Sequence, residues 1–219
     1  MSLKHALLGF LNYGSMTGYE LKKFFDTSVA HFWTAELSQI YPTLKQLESE
    51  GLVDMKVQVQ ADRPNRKVYS LTDDGRRELL DWLATPAEPD QFREPLLIKV
   101  FFGAALPKQD LVRVLRHRAE EMRRGIESYE HGCTVIQQFA EAVGLQREAL
   151  FWQLTIDSGV RHCQMAIQWA EEAVDKIEQM DDSAFPSQPA GPGRMNVRTA
   201  VEVLDRLKSA MPKAFAGTH

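Results

Sequence analysis

The sequence has few cysteines and lacks a long uncharged apolar run, and both shortages limit what the protein can be. Only two of its 219 residues are cysteines, Cys133 and Cys163, which lie 30 positions apart in segments with helical periodicity. We therefore expect no disulfide framework and a reducing compartment, the cytoplasm. The apolar run at residues 1–12 is short and interrupted by Lys4 and His5, so it predicts a core helix and not an export signal. No stretch approaches the roughly 20 apolar residues of a membrane span.

Motifs of catalysis are missing too. The six histidines form no HExxH or similar pair, and the sequence contains no Gly-rich phosphate loop, no G-x-S-x-G elbow and no Cys-x-x-Cys pair. We therefore expect no enzyme activity, no metal site and no cofactor. Because Cys133 falls on an apolar stripe, it is predicted to be a small core residue and not a redox sensor.

Basic charge is scarce. The net charge is −4, and residues 1–85 hold ten Lys and Arg against eleven Asp and Glu. Proteins that bind nucleic acid usually show a basic excess. Any DNA-binding surface of this chain must therefore be a narrow, segregated cationic face.

Composition and hydrophobic periodicity divide the chain into four regions. Residues 1–84 show a helix, helix, helix, hairpin, helix pattern, and residues 85–95 form a Pro-rich connector. Residues 96–180 are predicted to form long helices, and residues 181–219 a flexible linker with a short final helix. We predict a mainly α fold with a small β-hairpin wing, in which a winged helix-turn-helix precedes an antiparallel helical, coiled-coil dimerisation domain.

The boundaries of the N-terminal elements are marked by residues that cap helices. Thr17 is the expected N-cap of the second helix, Gly51 ends the third, and Thr72 caps the fourth. Residues 52–60 and 67–71 are alternating or β-branched and flank a Pro-Asn turn, which predicts a hairpin. Three helices followed by a hairpin are typical of a winged helix-turn-helix.

The third helix has one apolar stripe, made of Leu37, Ile40, Leu44 and Leu47. Its outer face presents polar residues, with Tyr41 and Thr43 on the flanks: Ser38, Gln39, Pro42, Lys45, Gln46 and Ser49. Such side chains can bind base edges and phosphates in a major groove, although any surface helix has a polar outer face. Pro42 requires the helix to begin about one turn earlier, because deeper in a helix it removes a backbone hydrogen bond.

The turn of the hairpin concentrates positive charge. It holds three cations and one acidic residue: Arg63, Arg66, Lys67 and Asp62. A wing at this position would straddle the DNA backbone or reach a minor groove. Three lysines of the first two helices either add phosphate contacts or are ordinary solvated charges: Lys4, Lys22 and Lys23.

Three runs of the N-terminal region are specific enough to resemble a known family. They are LLGFLNYGSMTGYELKKFFD at residues 7–26, QIYPTLKQLESEGLV at residues 39–53 and RPNRKVYSLTDDGRREL at residues 63–79. Together, over residues 3–84, they resemble the PadR family of bacterial transcriptional regulators, whose members are usually dimeric repressors. The resemblance implies that the following residues lie at or near DNA: Tyr19, Tyr41, Pro42, Lys45, Arg63, Asn65, Arg66 and Lys67.

A coiled-coil seam follows in the C-terminal half, where apolar residues alternate spacings of four and three from Leu115 to Val143. Its partner can be a helix of the same chain, of a second chain, or both. The second amphipathic helix, residues 148–180 beyond a turn at Gly144, is one such partner. The hairpin resembles the larger C-terminal region of one PadR subgroup. The predicted dimer contacts are Leu115, Met122, Ile126, Tyr129, Ile136 and Val143.

A dimer of winged units predicts an inverted-repeat operator and a route to regulation. An effector that binds two arrangements of the dimer unequally would change the spacing of the reading helices. Phenolic compounds induce some family members, and an aromatic or phenolic effector would bind among four residues that otherwise form plain core: Phe151, Trp152, Met165 and Trp169. The alternative to a DNA-binding repressor is a winged-helix module that binds another protein.

Overall fold

The structure is a computed structural model that describes residues 2–59, 65–87, 93–185 and 196–208. Contacts between Cα atoms divide the chain into two compact units, residues 1–92 and residues 93–219. The first unit combines short helices with a small sheet, and the second consists of helices. This confirms the prediction of a mainly α fold with a small β-hairpin wing.

The first unit, residues 1–92, follows the predicted order with one added strand. Its elements are α1 (Ser2–Leu11), β1 (Met16–Thr17), α2 (Gly18–Phe24), a π-helical turn (Phe25–Val29), α3 (Leu37–Ser49), β2 (Val53–Gln58), β3 (Arg66–Leu71) and α4 (Asp73–Ala84). The two-residue β1 was not predicted, because so short a strand has no periodicity of its own.

The three caps predicted from the sequence are confirmed. The Thr17 hydroxyl accepts a hydrogen bond from the Glu20 backbone N–H, at 3.2 Å between oxygen and nitrogen, at the start of α2. The Thr72 hydroxyl accepts one from the Gly75 N–H at 3.0 Å, at the start of α4. After α3 the chain turns at Gly51, whose φ of 71° lies in the left-handed region that glycine adopts without strain.

The core of this unit comes from the predicted apolar stripes. On α3, Ile40, Leu44 and Leu47 are fully buried, and they pack in one cluster with residues of α1 and α2. β3 is the central strand of the sheet, antiparallel to both β1 and β2, with Met55 opposite Tyr69. The buried side of α3 is therefore fixed, and so is its outward face.

The second unit, residues 93–219, is a helical arm with a separate short helix near its end. Its elements are α5 (Pro95–Phe101), a 3₁₀ turn (Gly103–Ala105), α6 (Lys108–Val143), α7 (Gln146–Glu178), a 3₁₀ turn (Asp182–Ala184) and α8 (Val197–Lys208). The turn at Gly144, with φ 72°, was predicted and is confirmed. Helix α8 lies in the segment where a short final helix was predicted. Most of the flexible linker predicted before it lies outside the described residues. The long helices begin at Lys108 and not at residue 96, because Gly103 and Pro107 interrupt the helical pattern.

Helices α6 and α7 form the arm, an antiparallel hairpin whose partners across the seam come from the same chain. Close approach is possible because small residues alternate with large ones. A Cβ added at Gly132 would lie 3.8 Å from Ile156, and one added at Gly125 would lie 3.3 Å from the Cys163 sulfur. Of the two possible partners of the α6 seam, a helix of the same chain and a helix of a second chain, the chain itself therefore supplies one.

None of the helices in the described part of the chain is long and apolar enough to cross a membrane.

Candidate nucleic-acid interface

The outer face of α3 is exposed along its length. Helix α3 begins at Leu37, so Pro42 is its sixth residue and lies inside the helix, deeper than expected, where it cannot donate a backbone hydrogen bond to Ser38. The six side chains of this face that the sequence predicted at or near DNA are all solvent-exposed: Ser38, Gln39, Tyr41, Pro42, Lys45 and Gln46. Because the opposite stripe is buried in the core, α3 presents these residues together.

The N-terminus of α2 packs directly against the flank of α3. A Cβ added at Gly18 would lie 2.6 Å from a ring carbon of Tyr41, so only glycine leaves room for that ring. Tyr19, the next residue, is 69% exposed, and Tyr41 is 45% exposed. The Tyr41 ring on the flank of α3 thus lies against the residue that precedes the exposed Tyr19.

An ion pair ties the same end of α2 to the wing strand β3. The Glu20 carboxylate accepts hydrogen bonds from the Thr17 backbone N–H at 2.7 Å and from the Thr17 hydroxyl at 2.8 Å. Its other oxygen accepts one from the Arg66 guanidinium at 2.5 Å. These bonds, led by that from the Thr17 backbone, lower the pKa of Glu20. The end of the wing next to its turn is therefore held against the end of α2 that carries Tyr19.

The described wing residues lie on the surface. Asn65, Arg66 and Lys67 are exposed where β3 begins, with Arg66 paired opposite Gln58 of β2. The fourth predicted wing residue, Arg63, lies outside the described residues. The structure thus brings the α3 face, the two tyrosines and the start of β3 together through Gly18 and Glu20.

Some of the predicted polar groups are already engaged within the unit. The Gln39 side-chain oxygen accepts from the Glu36 backbone N–H at 3.0 Å, and the Gln46 amide donates to Glu50 at 2.7 Å. Two of the three lysines proposed for phosphate contacts also have acidic partners. Lys4 lies 2.9 Å from Glu50 and 3.1 Å from Glu78, and Lys22 lies 2.6 Å from Asp26.

Sequence reasoning missed two contacts of this surface, the Glu20–Arg66 bond and the Gly18–Tyr41 contact. Thr17 was predicted as the cap of α2, and the Thr-x-x-Glu pattern at residues 17–20 was a signal for the capping box that also engages Glu20. The third partner, Arg66, is 46 residues further along, so only the folded sheet shows that the same carboxylate binds the wing. The Gly18–Tyr41 contact is likewise set by how α2 and α3 pack.

The predicted dimer contacts of the arm are buried to different degrees. Leu115 is fully buried, the four middle residues of the predicted set are half-buried, and Val143 beside the turn is exposed. Five other large apolar side chains within ten residues of Gly144 are also exposed. Together with Val143 we call them the tip residues: Val135, Phe139, Val143, Leu150, Phe151 and Leu154.

The four residues predicted for an effector pocket are spread along α7. Trp152 contacts Phe139, with ring centroids 6.1 Å apart, near the turn. Trp169 packs in a separate cluster with Leu115 and Val174. Since a helix rises 1.5 Å per residue, Phe151 and Trp169 lie about 27 Å apart. The structure thus places Phe151 and Trp152 near one end of the arm and Met165 and Trp169 towards the other.

The described residues contain no group of three or more His, Cys, Asp or Glu side chains that could hold a metal ion.

Two family profiles match the chain in succession. The profile of the transcriptional regulator PadR-like family matches residues 7–81, and that of the virulence activator alpha C-terminal domain matches residues 92–178. The first match spans α1 to α4, and the second spans α5 to α7.

Individual relatives match over almost their whole length. A probable transcriptional regulator of Mycobacterium tuberculosis is 33% identical over 195 residues, covering 82% of this chain and 99% of that protein. The negative transcriptional regulator PadR of Bacillus subtilis is 26% identical over 178 residues, covering 81% and 98%. Its crystal structure in complex with operator DNA superposes with a TM-score of 0.70 at 25% identity, covering 81% of this chain and 99% of that one.

The virulence activator AphA of Vibrio cholerae has the same fold, with a TM-score of 0.61 at 26% identity, covering 82% of this chain and 99% of that chain. The chain therefore belongs to the PadR-like family of transcriptional regulators.

Proposed function

We propose that this protein is a sequence-specific DNA-binding repressor that binds an inverted-repeat operator as a homodimer. The observation that carries the proposal is the exposed outer face of α3, with Gly18 of α2 against Tyr41 on its flank and Glu20 of α2 bonded to Arg66 at the start of β3. A relative with the same two-part architecture was solved in complex with operator DNA, which supports the same use of this surface.

In the proposed complex, α3 enters the major groove. Its exposed Ser38, Lys45 and Gln46 supply the donors and acceptors that read base edges or bind phosphate oxygens. To bind a base, the Gln46 amide must give up its hydrogen bond to Glu50. Lys45 is the cation that α3 contributes to this face. Tyr19 and Tyr41 flank this face, and their hydroxyls donate hydrogen bonds to the DNA backbone.

The wing supplies phosphate contacts in the same complex. Asn65, Arg66 and Lys67 bind the backbone, together with Arg63, which is assigned from the sequence. The bond between Arg66 and Glu20 uses one terminal nitrogen, so the other guanidinium donors are available for a phosphate. With so few cations, affinity depends on this small surface and not on the net charge.

The homodimer in this proposal is held by the arm. Its tip residues are exposed in the single chain although they are large and apolar, and such patches mark interaction surfaces. A two-fold dimer would cover them with the same residues of a second copy and would set two α3 helices over successive half-sites. The earlier seam residues contribute where they are only half-buried, as Met122 and Tyr129 are.

Repression and its release complete the proposal. A negative regulator among the relatives and the resemblance to a family with phenolic inducers both favour a repressor relieved by a small aromatic compound. We propose two sets of residues for effector binding: Phe151 and Trp152 near the turn, and Met165 and Trp169 further along α7. We also propose that the protein acts in the cytoplasm and is not an enzyme, as membership of a regulator family suggests.

The direct test is footprinting of the purified protein on the promoters of its own and neighbouring genes, with and without phenolic acids. We expect protection of an inverted repeat that the double variant Arg66→Ala, Lys67→Ala loses. The control removes the same charge from α4, as Arg76→Ala with Arg77→Ala, and should protect the repeat as the unchanged protein does. If no promoter is protected by the unchanged protein, a role in binding another protein replaces the proposal.

A further inference from the structure

Helix α8 lies beyond both matched family regions, the second of which ends at residue 178. Its apolar residues recur at spacings of three, four and three: Val197, Ala200, Leu204 and Leu207. Spacings that alternate between three and four residues are typical of the seam of a two-helix coiled coil. In the folded chain Val197 is 64% exposed, Leu204 52% and Leu207 50%. Helix α8 thus carries a seam that the described part of its own chain leaves open.

Two polar contacts are made within α8. Asn196 accepts a hydrogen bond from the Thr199 backbone N–H at 3.3 Å, which caps the first turn. Arg198 and Glu202 lie one turn apart, with 4.0 Å between guanidinium and carboxylate. A helix of 12 residues is too short to be stable alone in water, so its stability must come from packing of the open seam.

The start of the tether to α8 is fixed on the arm. The Lys108 ammonium donates to the backbone carbonyls of Glu178 at 2.9 Å and Met180 at 2.7 Å, and to the Asp182 carboxylate at 3.0 Å. Phe185 then lines a groove between α6 and α7. Residues 186–195 connect it to α8, and ten residues span at most about 35 Å. Helix α8 is therefore confined to the neighbourhood of its own arm.

Two partners are within reach of that tether, the chain's own arm and a second copy of α8. The own arm lies within reach and still leaves the seam exposed. Because both copies carry the same seam, two α8 helices can pack seam against seam, as a two-fold contact requires. In a dimer held by the arms, two tethered copies of α8 face each other at an effective concentration on the order of millimolar.

We propose that α8 pairs with the α8 of a second copy in a short coiled coil that strengthens the dimer. The proposal rests on the homodimer proposed above. It adds an interaction surface outside both family regions, with the seam formed by Val197, Ala200, Leu204 and Leu207.

The first test changes the seam of the full chain. Leu204→Asp adds a charge to the seam, and we expect the dimer dissociation constant from sedimentation to rise about tenfold, since a buried leucine is lost from each copy. Thr199→Asp adds the same charge to the exposed polar face and should leave the constant within about twofold of its original value. Equal constants for both variants and the unchanged protein would overturn the proposal.

The second test identifies the partner by hydrogen exchange of α8 at concentrations above and below the dimer dissociation constant. We expect protection of α8 amides in the dimer that is lost on dilution and absent from Leu204→Asp. Protection that survives dilution into monomer would mean that α8 docks on its own arm. A dimer with unprotected α8 would overturn this inference alone, whereas a monomer at every concentration would overturn the proposed homodimer as well.

Discussion

The two units bury their apolar residues by different means. In residues 1–92 one cluster joins α1, α2, α3 and the sheet, and residues such as Leu7, Leu21 and Leu44 have no exposed surface. In the arm only two long helices pack against each other, so a single layer is buried, as at Ala119 and Ala170. The tip residues remain exposed because two helices have no third element to cover them.

This difference separates folding from assembly. The first unit builds one core of its own, although Leu80 and Leu83 of α4 stay exposed, and the outer face of α3 is available for recognition. The arm has more apolar surface than one hairpin can bury, so it needs another surface.

Packing in the first unit should tolerate an added methyl group far less than packing in the arm. A Cβ at Gly75 would lie 2.0 Å from the backbone oxygen of Leu52, and one at Gly159 would lie 2.5 Å from the Tyr129 ring. Backbone cannot move aside, whereas the half-buried ring can. We expect Gly75→Ala to lower the free energy of unfolding by about 3 kcal/mol or more and Gly159→Ala by about 1 kcal/mol.

Urea denaturation measures both variants, with Gly14→Ala as control because nothing lies within 4 Å of its added Cβ. Equal losses at Gly75 and Gly159 would remove the contrast between the two units.

Assembly should depend on the tip residues. Phe151→Asp replaces the exposed aromatic side chain of one tip residue with a charged one. We expect the dimer dissociation constant from sedimentation to rise about tenfold, with the first unit still folded. Gln164→Asp adds the same charge to an exposed polar position of α7 and should have little effect. A dimer dissociation constant that Phe151→Asp leaves unchanged would mean that the interface does not include the tip residues.

Binding of operator DNA should depend on the position of the Tyr41 ring. Gly18→Ala pushes a methyl group into the Tyr41 ring, so the ring must leave the edge of α3. We expect affinity for operator DNA to fall about fivefold, or about 1 kcal/mol, in a gel-shift titration. Gly9→Ala on α1 meets nothing within 4 Å and serves as the control. Unchanged binding by Gly18→Ala would exclude Tyr41 from the contact surface.

The smallest effect concerns Glu20 and pH. Its pKa is lowered from the ordinary 4.5 by its bonds to Thr17 and Arg66. A lowered pKa in the folded state stabilises the fold above the ordinary pKa, and this stabilisation is lost as the pH falls through the lowered value. Glu20→Gln should therefore reduce stability at neutral pH by at most about 1 kcal/mol, because the pair is solvent-exposed.

The gap in unfolding free energy between the unchanged protein and Glu20→Gln should close below pH 4.5. It should also shrink in an Arg66→Ala background. A gap that widens in acid would contradict the assigned role of the carboxylate.

Local signals in the sequence predicted most of the fold. The caps at Thr17 and Thr72, the turn at Gly144 and the stripe on α3 each depend on neighbouring residues, and all were found where predicted. The polar face of α3 follows from its stripe by helical geometry.

What the sequence could not predict depends on contacts between distant residues. The bond between Glu20 and Arg66 joins positions 46 apart, and β1 exists only because it pairs with β3. The spacing of the α6 seam could not show which helix covers it, because the same period serves a partner in either chain. The exposed tip residues likewise appear only once α6 and α7 are packed.

The central claim is that DNA is bound through the small cationic surface of α3 and the wing. The most direct measurement is the dependence of operator affinity on salt for the unchanged protein and for Arg66→Ala with Lys67→Ala. We expect affinity to fall steeply with salt, and the double variant's slope of log affinity against log salt to be shallower by about two. Affinity that does not depend on salt, or an unchanged slope in the double variant, would contradict the claim.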